Sequence, residues 1–227
     1  MIPKIIHYCW FGGKSIPENL KRCMDSWKKK LPDYQIMEWN EDKFDINSHP
    51  FVKIAYDNRK FAFVSDYVRV YALLKYGGIY LDTDIEICKS FDNLLEKKAF
   101  LAIEPETNLI ATCCLGFQAE HPFLREILAR YDTLKLDMTP NTQLFYDTLI
   151  EKYSIFKGKA VELQDICVLD RTFISLYPKK KDNYVIHYCD ASWLTPFGRK
   201  KQKIILYMLN HQYLRIVYKL YKHLKGK

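Results

Sequence analysis

Asp82 and Asp84 stand two residues apart, directly after the apolar run Gly77-Gly78-Ile79-Tyr80-Leu81. If the chain stays extended beyond a strand, side chains at i and i+2 project to the same side. Two carboxylates so placed can share one hard divalent cation, Mg²⁺ or Mn²⁺, through oxygen ligands. A cation held by two carboxylates keeps open positions, and these suit a diphosphate whose leaving-group charge the metal neutralises. The plainer reading of a bare Asp-x-Asp is a polar turn after a strand; the preceding Gly-Gly-Ile-Tyr-Leu favours the chemical one.

Three further groups are arranged for related work. Asp66 and Arg69 lie at i and i+3 and so share a helix face. They are either an ordinary intrahelical salt bridge or a pair serving a sugar nucleotide. In the second case Asp66 accepts from ribose hydroxyls and Arg69 reaches phosphate or sugar oxygens. Apolar neighbours bury most of this helix, and a buried ion pair needs partners or a ligand. His7-Tyr8-Cys9-Trp10 closes the first apolar run. In open α/β sheets ligands bind beyond the carboxyl ends of the strands. Trp10 is thus either a core side chain or a stacking platform for a base, with Gly12-Gly13 allowing close backbone approach. Near the end of the globular part, His187 can be a third metal ligand beside two carboxylates. Ser192 and Trp193 follow and could close over phosphate and sugar.

These residues need elements to hold them. Ile5–Trp10 reads as a buried strand. Ser15-Ile16-Pro17-Glu18 matches a capping box opening a helix that runs to about Lys30. Tyr34–Trp39 reads as a second strand, so the three form a βαβ unit and the chain is α/β with a partly parallel sheet. Residues 40–60 are polar, with a short helix near Phe51–Tyr56. Helical periodicity covers Phe61 to Tyr76, and Gly77-Gly78 supplies a left-handed stop. Ile79–Leu81 and Ala99–Ile103 read as strands, His121–Tyr131 and Thr142–Tyr153 as helices, and Val185–Tyr188 as a last strand. After Pro196-Phe197-Gly198 the chain reads as helical.

Composition narrows the classes. The chain has 227 residues, 48% of them apolar, which suffices for one core of ordinary size and excludes disorder as the main state. Net charge is +8, yet residues 199–227 alone hold nine Lys/Arg and no Asp/Glu. The other 198 residues carry 26 basic and 27 acidic groups, a net of −1. Basicity is a property of the tail, which argues against a nucleic-acid-binding domain. Seven cysteines without a CxxC spacing fit neither a disulfide framework nor a structural zinc site, and scattered thiols suit a cytoplasmic setting. The N-terminus has no signal-peptide pattern, and no apolar run is long enough to span a bilayer.

The ordered set Ile2-Pro3-Lys4-Ile5-Ile6-His7-Tyr8-Cys9-Trp10-Phe11-Gly12-Gly13, Ser65-Asp66-Tyr67-Val68-Arg69, Gly77–Asp84 and His187 with Ser192-Trp193 resembles glycosyltransferase family 32. This is the sugar-binding family containing the Asp-x-Asp motif, with members in capsular and lipopolysaccharide synthesis; the chain is also distantly similar to the glucosylating domains of large clostridial toxins. The likeness covers most of residues 2–103 and the segment near 187–193. It implies a GT-A fold over residues 1–198, a Rossmann-like mixed sheet flanked by helices. It further implies a nucleotide-sugar donor, a Mn²⁺ or Mg²⁺ cofactor, and transfer with retention to a glycan or polyprenyl-linked acceptor in bacterial surface polysaccharide synthesis. By the same resemblance, Asp84 binds the metal and Asp82 contacts it or the ribose. Trp10 stacks on the base, Tyr8 and Tyr80 line the donor pocket, and Asp66 and Arg69 hold ribose and sugar. His187 or Asp190, with Ser192 and Trp193, completes the metal and phosphate contacts. Asn108, Thr142 and Gln143 lie where acceptor or sugar contacts are expected. UDP sugars are preferred because of the Trp10 context.

Residues 199–227 alternate an apolar helical stripe with nine basic groups and four tyrosines. That pattern suits an interfacial helix on anionic lipid, on the inner face of the cell membrane. It also fits a terminal helix docked on its own domain. Two other functions share some of the signals. A haloacid-dehalogenase-like phosphohydrolase also places Asp-x-Asp after an apolar strand, and a membrane-bound interaction module would keep the fold without catalysis.

Overall fold

The computed structural model describes residues 1–134, 141–154, 157–176 and 183–189, together with Lys200, Ile204 and Met208. The expected boundary after residue 198 lies outside the described residues, as does nearly all of the basic stretch beyond it. Among the described residues no helix is long and apolar enough to cross a membrane.

Strand β1 (Ile5–Cys9), helix α1 (Glu18–Lys30) and strand β2 (Gln35–Trp39) form the expected unit, with β1 and β2 parallel and Cys9 opposite Trp39. The capping box does not form. Pro17 is the N-cap of α1 and no side chain caps it, so the fixed φ of proline starts the helix rather than Ser15. Beyond β2 come α2 (Pro50–Asp57) and α3 (Phe61–Tyr76), then β3 (Gly78–Leu81) and the short β4 (Ile85–Ile87). Gly77 ends α3 with φ 64° and ψ −169°, outside the left-handed helical basin expected for it.

The glycine pair is there for space as well as for dihedral freedom. A Cβ on Gly77 would stand 2.6 Å from the Ala119 amide nitrogen, and one on Gly78 would stand 2.6 Å from the Ile5 carbonyl oxygen. The pair thus lets β3 settle directly against β1, with His7 opposite Tyr80 in parallel register. His7 pins this junction from below. Its Nε2 lies 2.7 Å from Gly77 O, and its Nδ1 accepts from Trp39 Nε1 at 3.1 Å.

The rest of the main sheet comes from β5 (Ala99–Ile103), β6 (Ile110–Phe117), β7 (Val161–Glu162) and β8 (Cys167–Leu169), giving the order β2-β1-β3-β6-β5-β8-β7. The sheet is mixed: β6 runs antiparallel to both β3 and β5, while β5 pairs parallel with β8. Helices α3, α4 (Pro122–Tyr131) and α5 (Asn141–Tyr153) cover one face with a core of Val68, Leu73, Phe117, Phe123 and Phe145. Helix α1 covers the other, where Trp27, Ile79, Leu81 and Phe91 pack. A small second sheet joins β4, β9 (Ile174–Ser175) and β10 (Val185–His187).

Candidate active site

Because β1, β2 and β3 are parallel, their carboxyl ends emerge at one edge of the sheet. Trp10, Asn40 and Asp82 are the first residues beyond those ends. The backbone of Asp82 is fixed from the neighbouring strand, its N–H donating to Cys113 O at 2.9 Å. The chain does not stay extended past Leu81. Ile85 N donates back to Asp82 O at 3.1 Å, so Asp82-Thr83-Asp84 is a tight turn between β3 and β4. The two carboxylates converge nonetheless, and the turn accomplishes it.

The small sheet brings the third group. Antiparallel pairing of β10 with β4 sets His187 opposite Ile85, and Tyr188 N donates to Asp84 O at 3.1 Å. His187 Nε2 then sits 3.4 Å from Asp84 Oδ1. One ligand atom each from Asp82, Asp84 and His187 lies within 4.8 Å of the others. Two carboxylates and an imidazole are a hard, mostly oxygen donor set, which fits Mn²⁺ or Mg²⁺. Asp84 is 9% exposed and His187 is half-buried, so the group is partly desolvated. Burial disfavours the charged imidazole, but the Cys113 sulfur and the Asp84 carboxylate beside it hold His187 well above the ordinary imidazole range.

Beneath the carboxylates lies Arg69, 5% exposed and bonded on every side. Its Nε donates to Ser65 O at 3.2 Å and its NH1 to Thr112 O at 2.7 Å. Its NH2 lies 2.9 Å from Asp66 Oδ1 and 3.4 Å from Asp82 Oδ1. The guanidinium also lies over the Tyr80 ring, 4.5 Å from the centroid, while Tyr80 OH donates to Asp82 Oδ1 at 2.8 Å. The intrahelical salt bridge is therefore real, and it extends to the Asp-x-Asp turn. Burial opposes the charge on Arg69, but Asp82, Tyr80 and Asp66 hold its pKa well above the ordinary value. Burial pushes Asp66 up, against the pull of Arg69.

Sequence reasoning did not single out Asn141, the first residue of α5. Its Nδ2 donates to Asp66 Oδ1 at 3.3 Å, and its Oδ1 is buried with no partner. A buried acceptor left open costs free energy unless something donates to it. Only the fold brings it to Asp66, 75 residues away in sequence.

Other expected residues fall as follows. Trp10 is half-buried at the shared edge, its Nε1 donating to Lys14 O at 2.5 Å. Tyr8 is not brought to the carboxylates. It is buried on the α1 face, edge-on to Trp27 at 5.8 Å, and its phenol is pushed up to about 12 by burial and by Glu38. Thr142 and Gln143 follow Asn141 on α5, where Gln143 Nε2 donates to Asp147 at 2.6 Å. Asn108 sits in the β5–β6 loop with φ 59°, packed against Gly158. Asp190, Ser192 and Trp193 lie outside the described residues.

Comparison with known proteins agrees with this geometry. Residues 17–101 match the glycosyltransferase sugar-binding region containing the DXD motif. The chain is 28% identical over 218 residues to inositol phosphoceramide mannosyltransferase 3 of Schizosaccharomyces pombe, covering 92% of this chain and 60% of that protein. It is 29% identical over 217 residues to an uncharacterized glycosyltransferase of Acanthamoeba polyphaga mimivirus, covering 85% of this chain and 84% of that one. The chain thus spans somewhat under two thirds of the yeast mannosyltransferase. Among solved structures, the PaToxG glycosyltransferase superposes with a TM-score of 0.54 at 20% identity, over 67% of this chain and 70% of that one. That likeness shows the fold, a GT-A mixed sheet flanked by helices. Over residues 17–101 the chain is thus similar to the glycosyltransferase sugar-binding region that contains the DXD motif.

Proposed function

We propose that this protein is a metal-dependent, retaining glycosyltransferase that moves a hexose from a nucleotide sugar to a glycan or lipid-linked acceptor. The observation that carries the proposal is the convergence of Asp82, Asp84 and His187 above the Arg69 guanidinium. Those three residues would hold Mn²⁺ or Mg²⁺, which neutralises the charge of a departing nucleoside diphosphate. Arg69 and Tyr80 orient Asp82 from beneath, so the ligand carboxylate is fixed before the donor arrives. Asp66 and the open Asn141 Oδ1 accept from hydroxyls of the donor. Trp10 offers its ring to the base at the edge where β1 ends.

Retention follows from the family resemblance and suits a front-face transfer. The acceptor oxygen bonds to the anomeric carbon on the side from which the diphosphate leaves, and the departing diphosphate oxygen takes the acceptor proton. The protein contributes positioning and electrostatic stabilisation. Glu104 is the first residue after β5, and it accepts from Thr107 Oγ1. A glycosyl-enzyme trapped on it would contradict the front-face route.

The yeast relative is named an inositol phosphoceramide mannosyltransferase, so GDP-mannose belongs beside UDP-glucose and UDP-galactose in the first donor panel. The charge pattern of residues 199–227 supports an anionic membrane surface as the place of action. Sedimentation with phosphatidylserine vesicles at low and high salt checks that placement. Nucleotide release from the donor panel with Mn²⁺ tests the activity. Metal-dependent release from one donor, lost in Asp84→Asn, is the expected result. Donor hydrolysis that persists without added metal and in that variant would remove the assignment.

A further inference from the structure

The loop that carries Trp10 is latched by a residue just beyond the neighbouring strand. Glu41 stands two residues beyond β2, at the edge where β1 also ends. Its Oε1 accepts from Gly12 N at 2.7 Å and from Tyr56 OH at 2.9 Å. Gly12 has φ 96°, and a Cβ there would stand 2.4 Å from the Phe61 ring, which itself packs edge-on to Tyr56 at 5.4 Å. The loop is thus closed against α3 and tied to α2 through one carboxylate oxygen. Trp10 N donates to Trp39 O at 2.9 Å, and the indole Nε1 donates to Lys14 O within the same loop. Among the described residues these three ties hold residues 10–14, and of the three the Glu41 tie uses a side chain from outside the loop.

We infer that Glu41 is a positioning residue for the nucleotide base, holding the Trp10 ring in its binding pose before the donor arrives; this rests on the functional reading above, in which Trp10 faces the base. A stacking ring on an unlatched loop must be ordered when ligand binds, and that ordering is subtracted from affinity. A carboxylate accepting a backbone N–H makes a charge-assisted bond, shorter and stronger than a neutral one. Its loss should therefore appear in donor affinity rather than in the chemical step.

The test uses the full chain labelled with 5-fluorotryptophan, whose four tryptophans give separate ¹⁹F resonances, Trp10 being assigned by its loss in Trp10→Phe. In the free protein, Glu41→Ala shifts and broadens the Trp10 resonance, while Glu41→Gln, which keeps an oxygen acceptor for both donors, restores it. Titration with UDP and with GDP in the presence of Mn²⁺ then gives a nucleotide Kd about tenfold weaker in Glu41→Ala and within about twofold of wild type in Glu41→Gln, with Mn²⁺ affinity unchanged. If Glu41→Ala does not fold, Tyr56→Phe, which removes one of the two bonds on Oε1, gives a smaller displacement of the same resonance. An undisturbed Trp10 resonance in these variants, or a Glu41→Gln as impaired as Glu41→Ala, overturns the inference. A wild type that binds neither nucleotide overturns instead the reading of the site, and the resonance still reports the latch.

Discussion

Replacing Arg69 with methionine would leave two carboxylates facing each other without their shared cation. Asp66 and Asp82 lie 2.9 and 3.4 Å from the guanidinium, and the Arg69 side chain is 6% exposed. Removing one partner of a buried ion pair costs about 3–5 kcal/mol, because the remaining charge is stranded. The Ser65 and Thr112 carbonyls also lose their donor. For a domain near 200 residues this corresponds to a fall in Tm of roughly 6–20 °C. Asp66, already raised by burial, would escape by taking a proton. The variant should thus recover stability as pH falls toward 5, whereas wild type should not. Adding Asp66→Asn to Arg69→Met removes one stranded charge and should return about 1–3 kcal/mol. Arg69→Lys keeps the charge without the planar fork and should fall between the extremes. Urea unfolding at pH 7 of wild type, Arg69→Met, Asp66→Asn and the double variant closes the cycle. An Arg69→Met protein within about 1 kcal/mol of wild type, or strictly additive effects, would refute the view that this cation ties the helix to the Asp-x-Asp turn.

Three other outcomes follow from the same contacts. Burial lowers the pKa of His7 to about 4, and its bonds to Gly77 O and from Trp39 Nε1 are both satisfied only by the neutral ring. The unfolded chain takes the proton near pH 6.5 and the native chain near 4, so stability is level above 6.5 and falls below it, by roughly 3 kcal/mol in full. Urea midpoints from pH 7 to 4, compared with those of His7→Gln, would show a shallower slope in the variant. Gly78→Ala places a Cβ 2.6 Å from the Ile5 carbonyl at φ 105° and should cost at least about 2 kcal/mol by thermal unfolding; a neutral effect would mean that β1 and β3 are not so closely packed. Tyr80→Phe frees Asp82 Oδ1 from its 2.8 Å bond and should weaken Mn²⁺ binding about tenfold by calorimetry, with little change in Tm.

Much of the frame is legible in the sequence where local signals agree. Helix Phe61–Tyr76 and strand Ala99–Ile103 fall within their expected bounds, because apolar periodicity and the glycine pair mark the helix and turn residues bracket the strand. The βαβ start is equally plain. Strand Ile110–Phe117, central in the sheet, is not: all eight residues are buried, so no alternation separates a two-sided strand from any other apolar run. Ser15 looks like a cap and is not one, because Pro17 starts the helix unaided. At the site, Asp82, Asp84, Asp66 and Arg69 carry their meaning in spacing and motif. His187 reaches Asp84 through the pairing of β4 with β10, and Asn141 reaches Asp66 from the start of a distant helix. Those are long-range facts with no periodic trace. Even the Asp-x-Asp geometry was settled by a turn rather than by the extended chain that the spacing suggests.

The most direct test is Mn²⁺ binding, followed by electron paramagnetic resonance of the free ion, for wild type, Asp84→Asn and His187→Ala in the presence of UDP or GDP. One ion per chain in wild type, with affinity reduced tenfold or more in each variant, is the expected result. Full-affinity binding of one Mn²⁺ in Asp84→Asn would contradict the claim that Asp82, Asp84 and His187 form the metal site.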